Sequence, residues 1–451
     1  MSLPDEPQKL RRVLSLRDLI FYGIVAVTPS APATIFGLAE EKSRGHVVVT
    51  ILAAMVAMVL TAISYGRMAA VYPSAGSAYA YVSRGIHPYL GFFAGWAMLL
   101  DYVFIPLFCV IYGTLSLQRA APWMPFWLGS LLFAGGITLV NLRGIRYTAR
   151  ANDVMLVFMF AVLISFIVLA IKYLVVRHGI SGLFSTQPFY NPATFNVRDI
   201  ASATSFAALT YLGFDAVTTL AEDVKNPRRN VLLAAVTVCL FTGIFGGLLV
   251  YLAHLAWPNY STFPNVDTAF IDVTGRVGGP VLFESMAILL VVANIGAGLT
   301  SQVGAARLLF GMGRENVIPR RIFTRLDPVR NTPWINILLL GVLAFCGAQV
   351  LSYELTAELL NFGAFLGFMG VNAAVIWNFW LRSTHPRARN LLLDLLLPAA
   401  GFLFCLVIWV GLSWPAKIAG SIWLVIGFLV LAAHTRRFRE PMVMTDPSVY
   451  E

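Results

Sequence analysis

The sequence predicts an all-α polytopic membrane protein of twelve transmembrane helices, of which helices 1 and 6 are discontinuous. Three observations predict it. First, 58% of the 451 residues are hydrophobic and only 12% charged, with a mean hydropathy of +0.76. Soluble proteins carry about 25% charged residues, so this chain cannot cover a water-facing surface, which excludes a soluble enzyme and a disordered chain. Second, the apolar residues gather into twelve runs long enough to cross a bilayer. Third, two of those runs contain residues that an unbroken helix avoids, at places five spans apart.

A crossing helix needs roughly 20 apolar residues. Runs of that order lie at about 18–38, 47–72, 88–117, 124–142, 153–175 and 198–220. Six more lie at about 231–256, 280–305, 333–352, 357–381, 391–413 and 416–434. Only Ser413–Lys417 separates the last two, so a single re-entrant segment is the alternative there. The chain divides accordingly into a tail (1–17), helices 1–5 (18–175), helices 6–10 (198–381), helices 11–12 (391–434) and a second tail (435–451). The first 16 residues are polar, with Lys9, Arg11 and Arg12, and no cleavable signal peptide follows them.

Basic residues orient the spans. With the N-terminus placed inside, 24 of the 32 Lys and Arg fall in or beside inner segments and 8 beside outer ones. This sustained bias is the positive-inside pattern, and it places both termini in the cytoplasm. The net charge of +10 is therefore spread over short loops facing anionic lipid headgroups, and nucleic acid is not the partner. Cys109, Cys239, Cys346 and Cys405 all lie inside apolar runs, so neither a disulfide framework, nor a disulfide-linked subunit, nor a metal site is expected. The six histidines have no metal spacing, and no phosphate-binding glycine loop precedes a lysine.

Span 1 contains Thr28-Pro29-Ser30-Ala31-Pro32, two prolines in mid-membrane. Each removes a backbone donor and clashes with the preceding turn. Span 6 contains Thr210-Tyr211-Leu212-Gly213-Phe214-Asp215. Broken backbone at that depth is tolerated where it lines a cavity or is buried in protein. Five being odd, two successive five-helix units run in opposite directions, and matched breaks in inverted halves point to a transporter's substrate site. The alternative is a pair of simple proline or glycine kinks.

Three motifs resemble those of the amino acid–polyamine–organocation permeases. Tyr72-Pro73-Ser74-Ala75-Gly76-Ser77-Ala78-Tyr79-Ala80-Tyr81 is similar to the stretch after their helix 2. Gly213-Phe214-Asp215 with Ala221-Glu222-Asp223-Val224-Lys225-Asn226-Pro227-Arg228 resembles their signature after the helix 6 break. Arg307–Pro319 resembles their loop after helix 8. Thr61–Gly66 and Gly95–Tyr102 look closest to the bacterial putrescine-importer-like branch. The resemblance implies a five-plus-five inverted repeat with two added helices, and a substrate held between broken helices 1 and 6. It also implies that Glu222, Asp223, Lys225 and Arg228 form an inner gate; the alternative is a solvated charged loop. The chain departs from the family pattern in three places. Pro29 and Pro32 cannot donate to a substrate carboxylate, Ala33–Phe36 lacks the acid expected late in helix 1, and Met155–Ala170 lacks the lysine that replaces sodium in some relatives.

An ionisable side chain at mid-membrane normally faces a cavity or a partner. Asp101 and Asp215 are the candidates, for binding a cationic amine or for cycling a proton. Capping of a half-helix is the alternative for Asp215, and a structural hydrogen bond for Asp101. Thr28, Ser30 and Ala31 offer backbone groups at the first break. Phe206, Tyr211 and Phe214 flank the second and can form an aromatic gate or a cation–π face, or simply pack. Asn294, among small residues of helix 8, can reach the site or a neighbouring helix.

The expected function is secondary active transport, by alternating access across the bacterial inner membrane, of a small amine-bearing solute such as an amino acid or putrescine. No cofactor is needed beyond a proton gradient. An exchanger is the alternative, and a non-transporting sensor or a channel is disfavoured by the short tails and inverted halves. No nucleophile–base pair supports an enzyme.

Overall fold

The computed structural model describes residues 14–72, 77–144, 149–221, 223–314, 318–328, 330, 332–382 and 389–435. Span 1 is two helices, α1 (Leu16–Val27) and α2 (Ala31–Lys42), bent by 47° at the Thr28–Ser30 break. The helix α3 (Val47–Val71) returns, and a short helix α4 (Ser77–Gly85) precedes α5 (Pro88–Ala120). Next come α6 (Phe126–Leu142), α7 (Ala149–His178) and the interrupted pair α8 (Val197–Ala208) and α9 (Ala216–Thr219). The second half continues with α10 (Pro227–Ala256), α11 (Ala269–Arg314), α12 (Arg320–Phe323), α13 (Trp334–Val350) and α14 (Tyr353–Val375). The last two helices are α15 (Leu397–Gly411), entered through a π-helical turn at Leu391–Leu396, and α16 (Trp414–His434).

Among the described residues, nine helical stretches are long and apolar enough to cross a bilayer, and the bent pair α1–α2 makes ten. The apolar helices α6 and α13, of 17 residues each, stand where spans 4 and 9 were expected. At 1.5 Å per residue each is about 25 Å long, the short end of the spanning range.

Spans 11 and 12 form as two separate helices, and the re-entrant alternative near Ser413 is not realised: Ser413 caps α16 by accepting from Ala416 N–H. Gly279, with φ 69°, breaks α11 into an outer piece before Pro280 and a long span after it. That span continues to Arg314, so the Arg307–Arg314 part of the third motif is helix rather than loop.

Packing relates the two halves. The helix α2 packs on α8, α1 on α9, α3 on α10, α5 on α11, and α6 on α13. Each of the first four predicted spans thus lies against the span five places later, whereas α7 packs on α10 and α11. Buried polar links tie these helices together: Ser64 Oγ donates to Asn372 Oδ1 (2.6 Å) and Asn372 Nδ2 to Thr61 Oγ1 (3.1 Å). Asn141 Nδ2 donates to Gln302 Oε1 (2.7 Å), and Gln302 Nε2 donates to Thr138 Oγ1 (3.0 Å) and the Ile337 carbonyl (3.2 Å). Such bonds average about 0.6 kcal/mol in a membrane, so they fix geometry more than they add stability. Trp96 and Trp423 stack at 4.8 Å, and each indole N–H donates to the other's carbonyl, pinning α16 to α5.

Ion pairs mark the face opposite the N-terminus. Lys42 binds Glu354 at 2.6 Å and Arg44 binds Asp199 at 2.9 Å, while Arg119 pairs with Asp272. The fully buried Glu40 pairs with His254. On the N-terminal face, Leu14 bridges the loop after α9: its N–H donates to Asp223 O (3.0 Å) and its carbonyl accepts from Lys225 N–H (2.9 Å).

Candidate functional site

The two interruptions face each other. The helix α1 ends at Thr28, whose φ of 55° is unusual for a β-branched residue and costs about 1–3 kcal/mol. Thr28 N–H donates to Val25 O (3.2 Å), and Ala31 N–H to Thr28 O (2.8 Å), closing the turn around Pro29. Pro32 lies in the first turn of α2, where its missing N–H is tolerated. Pro32 therefore starts the second half-helix, and the break belongs to Thr28–Ser30.

In span 6, α8 tightens into a 3-10 turn at Leu209–Tyr211, and the chain then runs irregularly through Leu212–Asp215 into α9. Gly213 has φ +102°, and a Cβ there would stand 2.8 Å from the Ala26 carbonyl oxygen. Only glycine accepts both the angle and the approach. The backbone of the second break therefore lies against the last turn of α1, immediately before the first break.

Beside this junction lie two carboxylates. Asp101 on α5 is 7% exposed and Asp215 is 8% exposed, and each is within electrostatic reach of the other. The phenols of Tyr22, Tyr65, Tyr81 and Tyr102 lie within electrostatic reach of Asp215. The Ser77 hydroxyl faces Asp215 without completing a hydrogen bond. Among the described residues no Lys, Arg or His makes an ion pair with either carboxylate. Asp101 Oδ1, Ser30 Oγ, Tyr65 OH, Ser77 Oγ and Tyr81 OH are all buried without a hydrogen-bond partner. Burying a charge without a partner is expensive. Two neighbouring buried carboxylates without a counter-ion call for a cation or a proton.

Asp215 sits at the N-terminus of α9 but makes no capping hydrogen bond, so the capping alternative is not realised. Phe214 joins an aromatic cluster under the break, 5.5 Å from Tyr65 and 5.3 Å from Phe368, with Tyr81 a further 5.8 Å from Tyr65. Tyr211 is spoken for differently: its hydroxyl donates to the Ile51 carbonyl of α3 at 2.8 Å. Phe206 is fully buried in the core. Asn294 Nδ2 donates to Leu290 O one turn back on its own helix at 2.7 Å, and the residue is 7% exposed. Of the expected inner gate, Glu222 lies outside the described residues. Asp223, Lys225 and Arg228 make no ion pair among the described residues, and the backbones of Asp223 and Lys225 hold Leu14.

Sequence reasoning passed over Tyr65, Ser77, Tyr81, Tyr102 and Phe368 as site residues. Ser77 and Tyr81 were in plain view in the motif after helix 2, whose spacing places them on one face of α4. Span 1 was also drawn too short. Because α2 runs to Lys42, helix 1 does carry a late buried acid, Glu40.

Apolar helices of spanning length, one bent across a mid-membrane break, define the class: an integral, all-helical membrane protein with multiple spans. Residues 40–440 match the amino acid permease family, and the chain belongs to that family of transporters. Over 436 residues, 96% of each chain, it is 31% identical to the low-affinity putrescine importer PlaP of Escherichia coli K12. It is 26% identical to the methylthioribose transporter of Bacillus subtilis, over 97% of this chain and 96% of that one. It is also 26% identical to the branched-chain amino acid permease BcaP of Lactococcus lactis subsp. cremoris, over 96% of each chain.

Proposed function

We propose that this permease carries a small amine-bearing solute, an amino acid or a polyamine such as putrescine, by proton-coupled alternating access. Its frame would be twelve spans across the bacterial inner membrane with both termini in the cytoplasm. Residues 18–175 and 198–381 would form inverted five-helix repeats, followed by two added helices at 391–434. The pairing of the first four spans with those five places later supports the repeat, and α6 and α13 would serve as spans 4 and 9.

The observation that carries the reading is the pair of carboxylates without an ion-pair partner, Asp101 and Asp215, buried where the second helix break meets the end of α1. The solute's ammonium group would lie between them, with carbonyls from the last turn of α1, which a helix end leaves free, and with the Tyr65–Phe214 rings giving cation–π contact. Either Asp101 or Asp215 would carry the coupled proton when no amine is bound. A carboxylate-bearing solute would find few donors at Pro29 and Pro32, which favours a diamine over an α-amino acid. The similarity to a putrescine importer supports the same preference.

The test is uptake into proteoliposomes with an imposed pH gradient, acidic outside, using labelled putrescine, leucine and methylthioribose. Putrescine accumulation that a protonophore collapses is expected. Accumulation of methylthioribose alone, or of no amine, would overturn the reading.

A further inference from the structure

We propose that the outer mouth holds a second cation station, in which the Asp267 carboxylate takes the ammonium group of the arriving solute above the Tyr112–Tyr353 aromatic pair. Asp267 lies between α10 and α11, two residues ahead of α11, on the face opposite Leu14 and Val224. It is half-buried, and its side chain makes no ion pair among the described residues. Glu41 and Glu354 face it, and both push it above the usual carboxylate range, second only to its burial. The nearby Lys42 ammonium is already held by Glu354, with Glu41 and Glu358 also within its reach. Three carboxylates thus share the Lys42 ammonium, and Asp267 is not one of them, so among the described residues no cation pairs with it.

A separate observation points to a ligand. The Tyr112 hydroxyl is wholly buried, has no hydrogen-bond partner, and lies within electrostatic reach of Asp267. Its ring stands 5.2 Å from that of Tyr353, which is also 5.2 Å from Phe108. Thr268, next to Asp267, has a second buried hydroxyl without a partner. An alkylammonium needs three acceptors and gains from aromatic faces. The carboxylate, the hydroxyls of Tyr112 and Thr268, and the rings supply both.

This station is distinct from the carboxylates at the breaks. Tyr112 follows Asp101 by eleven residues on the same helix, about 16 Å at 1.5 Å per residue, too far for one small diamine to span. Tyr353 OH donates to the Thr34 carbonyl on α2 at 2.7 Å, so the floor of the outer station is the half-helix that leads to the break. A solute would bind first at Asp267 and pass inward when that contact opens.

The proposal rests on the transport reading above, and sidedness separates the two. Initial rates of labelled putrescine transport are measured from the outer and the inner face of oriented vesicles, for the wild type, Asp267→Asn, Asp267→Glu and Tyr112→Phe. Asp267→Asn should raise KM from the outer face about tenfold and leave KM from the inner face unchanged, Asp267→Glu should restore it, and Tyr112→Phe should raise it about threefold. Asp267 is in a connection whose backbone N–H donates to Asn265 Oδ1 at 2.9 Å, a bond that all Asp267 variants keep. Equal KM for the wild type and Asp267→Asn from the outer face would overturn the proposal, as would a rise of the same factor from both faces. A wild type that moves no amine would instead overturn the transport reading, and this proposal with it.

Discussion

Gly213→Ala probes the contact between the second break and the last turn of α1. The added Cβ would stand 2.8 Å from the Ala26 carbonyl oxygen and 3.0 Å from its carbon, and both obstacles are backbone rather than flexible side chain. At φ +102° an L side chain is also strained, by about 1–3 kcal/mol. Overpacking against an immobile neighbour adds about 1–3 kcal/mol. Together these predict a loss of about 2–6 kcal/mol, or separation of the breaks with little loss of fold. Either outcome removes the junction beside Asp101 and Asp215. Unfolding in detergent gives the first quantity, and putrescine uptake into proteoliposomes gives the second. Gly135→Ala on α6, where nothing lies within 4 Å, is the control and should gain about 0.5–1 kcal/mol. A Gly213→Ala protein with wild-type stability and wild-type uptake would refute the contact.

Other consequences follow from the same geometry. Tyr211→Phe removes only the bond to the Ile51 carbonyl; it should cost about 1 kcal/mol in detergent unfolding and leave the uptake KM unchanged. His254→Ala strands Glu40 in the core and should cost about 3–5 kcal/mol, whereas replacing both by leucine should recover most of that stability. Asn372→Ala cuts the links to Ser64 and Thr61 and should cost about 1–2 kcal/mol, read in the same assay. Asp267 has its pKa raised in the folded protein, so its charged form opposes folding and its penalty fades as pH falls through the raised value toward the ordinary carboxylate range. Asp267→Asn should therefore be the more stable protein at neutral pH, with the difference closing on acidification; a constant difference would contradict the assignment of burial and like charge as its cause.

Periodicity and breakers made the spans legible because bilayer crossing leaves little freedom: backbone must be paired within each helix, and apolar length must match the membrane. The breaks were legible for the same reason, since Pro29 and Gly213 contradict their surroundings. Ends were less so. Arg314 is still helical and Lys42 closes helix 1 because charged residues at a span's edge extend into the interface, which hydropathy reads as loop. The partners of the site were illegible in principle. Glu40 finds His254 across 214 positions, and Tyr65 on α3 meets Phe214 of the second break and Phe368 on α14. Asn294 looked like a reaching amide but satisfies itself on Leu290, a local bond that composition cannot distinguish from a distant one.

The most direct test is calorimetric titration of the purified full-length protein with putrescine, comparing the wild type with Asp101→Asn, Asp215→Asn and the double variant. The account predicts saturable binding by the wild type, at least tenfold weaker binding for each single variant, and none for the folded double variant. Wild-type affinity in the double variant would contradict it.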